Sequence, residues 1–482
     1  MNCIYLPLLL VLHATSSRSA HILPVELDTS SVAGTTSDYF LSFTIDAGAI
    51  KGHLELVRNF TSRRLLNMAR ELSPAVWRIG GTSQDYIVFN VSSKEATGIN
   101  VVMSTEQWDQ INRFARDAGL HLIFGLSALI RQQNGRWEPS NALQLMEYTS
   151  KNGYAVSWEL GNEPDLFSKR GACVKAVQLA QDFQTLRQIL GCLSFGEASK
   201  DGHYHVKLAG PDIASLTGGN YFSDFLQAVG DGVVDAVTWH QYYKSGAKAK
   251  VEDFYSSDLL DRLIGQLAKA RNLTEQYVPS AEIWLGETSS AYNGGAVNLS
   301  DTFIAGNLWL DKLGLAALHN HTVVCRQALV GGYYSLLDSN FYPLPDYYTS
   351  VLYKRLVSSR VLYVKNSLKP GRLVRVYAHC SNQTTFSNGH VTFIVINLIN
   401  ETIQVQLPDS LAQRPVYLYL LTPGGGDILS KQVMLNGKIL ELDENDKLPD
   451  LSGKRLAAHA AIAFPGLTYG YIVTGATVAA CM

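Results

Sequence analysis

The chain has 482 residues, 46% of them hydrophobic and 17% charged, which provides a large buried core and excludes a disordered, charge-rich chain. A formal net charge of −2 creates no global positive field, so nucleic acid is not an expected partner. The length suits one α/β barrel of about 250 residues or more with a smaller companion domain.

Residues 1–20 read as a secretory signal peptide, with an apolar run from Ile4 to Leu12 and then Ser16-Ser17-Arg18-Ser19-Ala20. That run is shorter than the about 20 apolar residues that span a bilayer, so no transmembrane segment is expected. Seven Asn-x-Ser/Thr sequons, at Asn59, Asn90, Asn272, Asn298, Asn320, Asn382 and Asn400, agree with a secreted glycoprotein, extracellular or lysosomal. Loss of the signal removes Arg18 and Cys3, which takes the net charge to −2 − 1 = −3 and leaves Cys173, Cys192, Cys325, Cys380 and Cys481. Cys380 is expected to pair with Cys481, and Cys173 with Cys192. Cys325, within Val323-Val324-Cys325, is expected as a buried free thiol.

Ile22–Leu27 alternates in polarity, and the 21–37 segment is expected to lend a strand to a terminal β domain. Residues 38–357 then show eight short apolar, β-branched runs: Tyr39–Asp46, Ala75–Gly81, Leu120–Leu129, Val156–Pro164, His205–Asp212, Ala236–Tyr243, Glu282–Ser290 and Val323–Val330. Amphipathic stretches such as Thr105–Ala118 and Ala176–Leu190 lie between them. Eight such units predict a (β/α)8 TIM barrel. Residues 358–482 change character. Leu362–Val364, Leu373–His379, Val391–Asn397, Ile403–Leu407, Val416–Leu421, Ile439–Leu442 and Tyr469–Val473 predict an antiparallel β-sandwich domain.

Functional side chains of such barrels sit at the C-terminal ends of the strands. The fourth run ends in Trp158-Glu159-Leu160-Gly161-Asn162-Glu163-Pro164, and the seventh in Trp284-Leu285-Gly286-Glu287-Thr288. Two carboxyl groups flanking a glycosidic bond are what its hydrolysis requires. Glu163 is read as acid/base and Glu287 as nucleophile, with the Asn162 amide positioned for a sugar hydroxyl. Either glutamate alone is equally a turn or surface carboxylate; the pair on strands four and seven carries the assignment.

These two motifs, together with Val237-Thr238-Trp239-His240-Gln241-Tyr242-Tyr243, Asp311-Lys312-Leu313-Gly314-Leu315, Pro343-Leu344-Pro345-Asp346-Tyr347 and the terminal Ala479-Ala480-Cys481, resemble the heparanase-like endo-β-glucuronidases, glycoside hydrolase family 79. The resemblance runs from about Phe40 to Cys481. It implies a retaining mechanism without metal or other cofactor, and cleavage of internal glucuronide bonds in a glycosaminoglycan. It places Asp46, Thr82, His240, Asn293, Gly294, Gly332 and Tyr334 in the substrate cleft, and Tyr242 and Tyr292 complete the expected set. Blander roles exist: a loop cap for Asp46, a satisfied core histidine for His240, turns for the glycines. Arg326, ending strand eight, either lowers the nucleophile's pKa or pairs structurally with another acid.

Vertebrate members carry a long excised insert after the second strand, whereas Phe89–Val101 leaves room only for a short loop, so a single-chain monomer without excision is expected. Their basic clusters for sulfated chains are also missing: the stretch after strand five reads Ile213-Ala214-Ser215-Leu216-Thr217-Gly218-Gly219-Asn220. Sulfate recognition needs close cations. Asp165, Gln241, Asn293 and Gly332-Tyr333-Tyr334 resemble the leech-type hyaluronidases of the family. Hyaluronan is therefore expected ahead of heparan sulfate, although Arg170, Lys244, Lys248 and Lys250 are candidates for the cleft rim. The competing readings are heparan sulfate as sole substrate, exo action at chain ends, and a catalytically silent glycosaminoglycan-binding protein.

Overall fold

The computed structural model describes residues 21–48, 60–90, 101–195 and 205–482; the signal segment 1–20 and the sequon at Asn59 lie outside these. Eight parallel strands form the centre: β1 (Leu41–Asp46), β2 (Ala75–Gly80), β3 (Leu120–Leu126), β4 (Val156–Leu160), β5 (Ala209–Ile213), β6 (Ala236–Gln241), β7 (Glu282–Thr288) and β8 (Val323–Arg326). They pair in the order β4-β3-β2-β1-β8-β7-β6-β5, and a parallel bridge from Trp158 to Leu208 joins β4 to the residues entering β5. Among the described residues eight helices wrap the ring: α1 (Arg63–Glu71), α2 (Thr105–Ala118), α3 (Ser140–Lys151), α4 (Ala176–Gly191), α5 (Tyr221–Val229), α6 (Ser257–Tyr277), α7 (Ala305–Leu318) and α8 (Pro345–Leu356).

Strand parity divides the side chains. Phe43, Ile45, Trp77, Ile79, Trp158, Trp239, Ile283 and Leu285 join the large outer core against the helices. Val76, Ile123, Ala209, Ala236, Trp284, Val323 and Cys325 form a separate cluster, on the inward-pointing positions of the barrel. Cys325 is thus a small hydrophobe here, its thiol pushed up by burial. α2 has the sequence-expected bounds because Ser104 caps it, accepting from Gln107 N while the Gln107 side chain accepts from Ser104 N, and Gly119 closes it in the left-handed conformation.

Most of the predicted barrel strands run too long at their C-terminal ends: β4 stops at Leu160, β3 at Leu126 and β8 at Arg326. The apolar pattern continues because those residues remain buried in the loops above the ladder. A short parallel pair, Ile87–Asn90 with Val101–Ser104, was not foreseen.

The C-terminal strands form a nine-stranded sheet facing a three-stranded one. The N-terminal segment enters both: His21–Pro24 pairs in parallel with Ile403–Gln406, and Gly34–Thr35 pairs with Val357–Leu362. The latter strand lies earlier than the predicted Leu362–Val364, and Val433–Leu435, Lys454–Leu456 and Ile462–Phe464 are further strands that were too short to read. Cys380 and Cys481 form a disulfide with Cα atoms 5.3 Å apart, buried in the sandwich core. Cys173 and Cys192 do not pair; both are exposed free thiols. They flank opposite ends of the 16-residue α4, which at about 1.5 Å per residue separates them by roughly 24 Å.

Candidate active site

The mouth of the barrel opens into a cleft of about 1100 Å³, lined by Asp46, Thr82, Asn162, Glu163, His240, Tyr242, Glu287, Tyr292, Asn293, Gly294 and Tyr334 among others. Eleven of the thirteen expected site residues therefore meet at one place. Glu163 follows β4 in the left-handed backbone region (φ 52°), a conformation non-glycine residues seldom hold without a reason. Its N–H donates to the Asp212 carbonyl oxygen (2.9 Å), and Pro164 opens the 3-10 turn behind it.

Glu287 reaches the cleft by a bulge. Ile283 and Leu285 face the outer helices, so strict alternation would send Glu287 outward too. Registers against β6 and β8 both slip here: Trp239 pairs with Leu285 but His240 with Glu287, and Leu285 pairs with Val324 but Thr288 with Arg326. The extra residue turns Glu287 into the lumen and Thr288 out. Glu287 Oε1 then accepts from the Tyr242 hydroxyl (2.7 Å) and Oε2 from Arg78 Nη1 (2.9 Å).

Beneath the pair lies a buried charge cluster. Arg78 is 1% exposed and donates to Glu159 Oε2 (2.8 Å), Glu287 Oε2 (2.9 Å), Asn162 Oδ1 (3.0 Å) and Asp212 Oδ2 (3.3 Å). Burial, with the Asp212 charge behind it, pushes Glu159 well above the usual carboxylate range against the pull of Arg78. Asp212 goes the other way: burial is outweighed by Arg78 and His240. His240 Nδ1 contacts Glu163 Oε1 (3.2 Å) and Nε2 contacts Asp212 Oδ1 (3.3 Å). Burial disfavours its charge, but the Glu287 carboxylate and the bonds to Asp212 and Glu163 raise its pKa to about 10. His240 is thus an imidazolium with both nitrogens committed.

Glu163 answers to that neighbour. Burial favours its neutral form, yet the hydrogen bond and charge of His240, then Arg170 and Arg78, hold it below its ordinary value. Arg170 Nη2 lies 3.3 Å from Glu163 Oε2. One carboxylate oxygen each of Glu163 and Glu287 and one nitrogen of His240 lie within 4.8 Å of one another. Three such atoms are a possible cation site by type, but both His240 nitrogens already face carboxylates, Glu163 at 3.2 Å and Asp212 at 3.3 Å.

Asp46 Oδ1 accepts from Gly48 N (2.6 Å), and burial followed by the Glu287 charge raises its pKa. Gly81 lets Asp46 sit there: its φ is 106° and a Cβ would lie 2.7 Å from Asp46 Oδ2. Tyr242 stacks on Tyr334 (6.3 Å between centroids), and Tyr292 stands edge-on to Tyr242, half-exposed.

Two expected residues do not line the cleft. Gly332 (φ 75°) is exposed beside the lining residues Tyr334 and Gly294, where a Cβ would meet the Tyr334 ring at 2.8 Å and the Gly294 carbonyl oxygen at 2.9 Å. Arg326 does not reach Glu287; it pairs with Asp346 (2.7 Å) and donates to the Tyr334 carbonyl oxygen, so it takes the structural alternative. Sequence reasoning missed Arg78, Asp212, Gln327 and Asp85. Asp85, whose pKa burial raises to about 7, accepts from Ala128 N and Asn162 N and so ties the β3 and β4 ends together. Of the candidate rim cations only Arg170 lines the cleft, joined by Lys169 and Arg262. Lys244 is bound to Asp253 instead.

The profile of the glycosyl hydrolase family 79 N-terminal domain matches residues 51–314. Mouse heparanase is 39% identical, covering 96% of this chain and 95% of that protein. Mouse inactive heparanase-2 is 32% identical over 97% of this chain and 91% of that protein. The hyaluronoglucuronidase of Hirudo nipponia is 30% identical over 95% of this chain and 99% of that protein. Among solved structures, a 4-O-α-L-rhamnosyl-β-D-glucuronidase from Fusarium oxysporum superposes with a TM-score of 0.71 at 16% identity, covering 94% of this chain and all of that one, a likeness of fold. The chain belongs to glycosyl hydrolase family 79.

Proposed function

We propose that this glycosidase is a secreted, retaining endo-β-glucuronidase of glycosaminoglycans, with hyaluronan cut at least as well as heparan sulfate. The observation that carries the reaction type is the approach of the Glu163 and Glu287 oxygens within 4.8 Å. Retaining enzymes place their carboxyls about 5–5.5 Å apart, and inverting ones about 6.5–9.5 Å to admit a water.

Catalysis belongs to the 38–357 barrel. Glu163 as acid gives its proton to the glycosidic oxygen while Glu287 bonds to the anomeric carbon and the leaving sugar departs with a hydroxyl. Glu163, now a carboxylate, takes a proton from water, whose oxygen displaces Glu287. Asn162, Asp46, Thr82, Tyr242, Tyr292, Asn293, Gly294 and Tyr334 bind the chain around that point. Because His240 lowers the proton affinity of Glu163, the acid form needed for the first step is populated in an acidic medium. An extracellular or lysosomal location suits that, and among the described residues no helix is long and apolar enough to cross a membrane.

Hyaluronan is supported by the sparse cations of the cleft, since Arg170 is already engaged by Glu163 and the Asn162 carbonyl. Heparan sulfate is the second reading. Lys169, Arg170 and Arg262 all rise from the β4–β6 side, where an acid on β4 directs the leaving sugar. The silent-scaffold reading has an inactive relative behind it; the engaged geometry of both glutamates favours activity. The test is parallel digestion of hyaluronan, heparan sulfate and unsulfated chondroitin, with products sized and their reducing ends identified. Rapid shortening with glucuronate at the new end supports the proposal; monosaccharide release indicates exo action, and no product indicates a binding protein. Cleavage of heparan sulfate alone would overturn the hyaluronan preference.

A further inference from the structure

A lysine buried without a carboxylate contact among the described residues stands behind the nucleophile strand. Lys312, in the middle of α7, is 1% exposed and does not line the cleft. Its Nζ donates to Thr288 Oγ1 (2.5 Å) and to the Ser289 carbonyl oxygen (2.8 Å), with the Gln241 carbonyl oxygen at 3.5 Å. The Thr288 hydroxyl donates in turn to that Gln241 oxygen (2.5 Å), and the Tyr243 ring lies 4.6 Å from Nζ. Each acceptor belongs to the residues just after His240 or Glu287. A methionine would fill this space without the cost of burying a polar head, so the amine needs a reason to be there.

The bulge supplies it. Where the β7 register slips on both sides, the ladder no longer fixes the strand end, and Glu287 faces the lumen only while Thr288 faces the helices. Lys312 holds Thr288 in that outward position. The helix that carries it is held from its other side: the neighbouring Asp311 accepts from the Tyr377 hydroxyl (2.5 Å) and lies 3.4 Å from Arg375 Nη1, both on the β-sandwich strand Val374–Ser381.

We propose that Lys312 is a positioning residue that locks the bulged end of β7 so that Glu287 points at the substrate, with the β-sandwich setting its height through Asp311. The role rests on the glycosidase reading above. The test is Lys312→Met, which keeps length and removes the donors, beside Leu122→Ala as a control that truncates the outer core on β3. Steady-state constants on one oligosaccharide and thermal midpoints are measured for each. Lys312→Met is expected to lower kcat at least tenfold with KM within about twofold of wild type, because only the transition state senses the nucleophile's aim. Leu122→Ala is expected to lower the midpoint and leave kcat of the folded enzyme unchanged. Thr288→Val removes the hydroxyl alone and carries the test if Lys312→Met does not fold; its kcat is expected to fall in the same direction. Wild-type kcat in either variant, or losses that follow the thermal midpoint as in Leu122→Ala, overturn the proposal. Absence of turnover in wild type would instead overturn the glycosidase reading.

Discussion

Replacing Arg78 by methionine tests whether the buried cluster holds both the fold and the nucleophile. The guanidinium is the shared partner of Glu159, Asp212 and Glu287 at 2.8, 3.3 and 2.9 Å, the first two fully buried and Glu287 at the cleft floor. Removing one partner of a buried ion pair costs about 3–5 kcal/mol, and here three carboxylates lose the same cation, so the upper end is expected. Glu287 also loses one of its two donors. A charge-assisted hydrogen bond is worth about 1.5–3 kcal/mol, so with Tyr242 still in place turnover of the folded fraction should drop roughly tenfold to a hundredfold. The sign with pH follows from linkage. Carboxyls deprived of Arg78 bind protons more readily in the folded state than in the unfolded chain, so the variant recovers stability relative to wild type as pH falls. Urea unfolding followed by tryptophan fluorescence at pH 7.5 and 5, with turnover of a hyaluronan oligosaccharide, reads both effects. A deficit under about 1 kcal/mol, or one that grows in acid, would refute the reasoning.

Further outcomes are expected. Glu163→Gln and Glu287→Gln each retain the fold by circular dichroism and lower kcat by roughly 10² to 10⁴-fold or more, since each keeps the shape and deletes the acid or the nucleophile. His240→Asn frees Glu163 to follow its burial, so the basic limb of kcat/KM moves to higher pH; a limb that stays or moves down counts against the pair. The Glu163 contribution to stability is present above its unfolded value of about 4.3 and lost as pH falls, and that of His240 is present below about 6.5 and lost as pH rises through about 10, so the stability difference between wild type and His240→Asn is largest between about 4.3 and 6.5. Cys380→Ser with Cys481→Ser opens a link across a sequence separation of 101, and differential unfolding should show the β-sandwich weakened by at most about 4–5 kcal/mol.

Much of this was legible because barrel strands announce their ends. Asn162-Glu163-Pro164 and Gly286-Glu287 close apolar runs, and eight such runs predict the ring. What was not legible is what parity alone could have offered. Arg78 lies two residues beyond Val76 in Ala75-Val76-Trp77-Arg78-Ile79, and Glu159 two beyond Ser157, so both occupy lumen positions. A charge inside such a strand must find a partner within the barrel, which is a signal in the sequence itself. The partner's identity was out of reach, since Asp212 is reached only across the ring. Arg326 shows the limit from the other side. Its place at the end of β8 predicted the cleft, but the β8 loop folds Asp346 onto it 20 residues later, and no local pattern fixes that return.

The floor also gives the two glutamates unlike tasks before any substrate enters. Glu287 is gripped by two donors, Tyr242 and Arg78, that fix its direction. Glu163 faces two cations, the His240 imidazolium and Arg170, which favour its carboxylate form in the open cleft. On the proposed mechanism that is the form needed after the first step, when Glu163 accepts a proton from water, and the wrong one for the step before. A polyanionic chain corrects this. On the proposed substrate, a glucuronate carboxylate entering beside Arg170 competes with Glu163 for that cation and excludes water, and both changes favour the neutral acid, while His240 stays buried and committed to Asp212. On the proposed function, substrate charge is then part of the proton supply, and an uncharged chain of the same linkage is expected to be cut more slowly at the same pH.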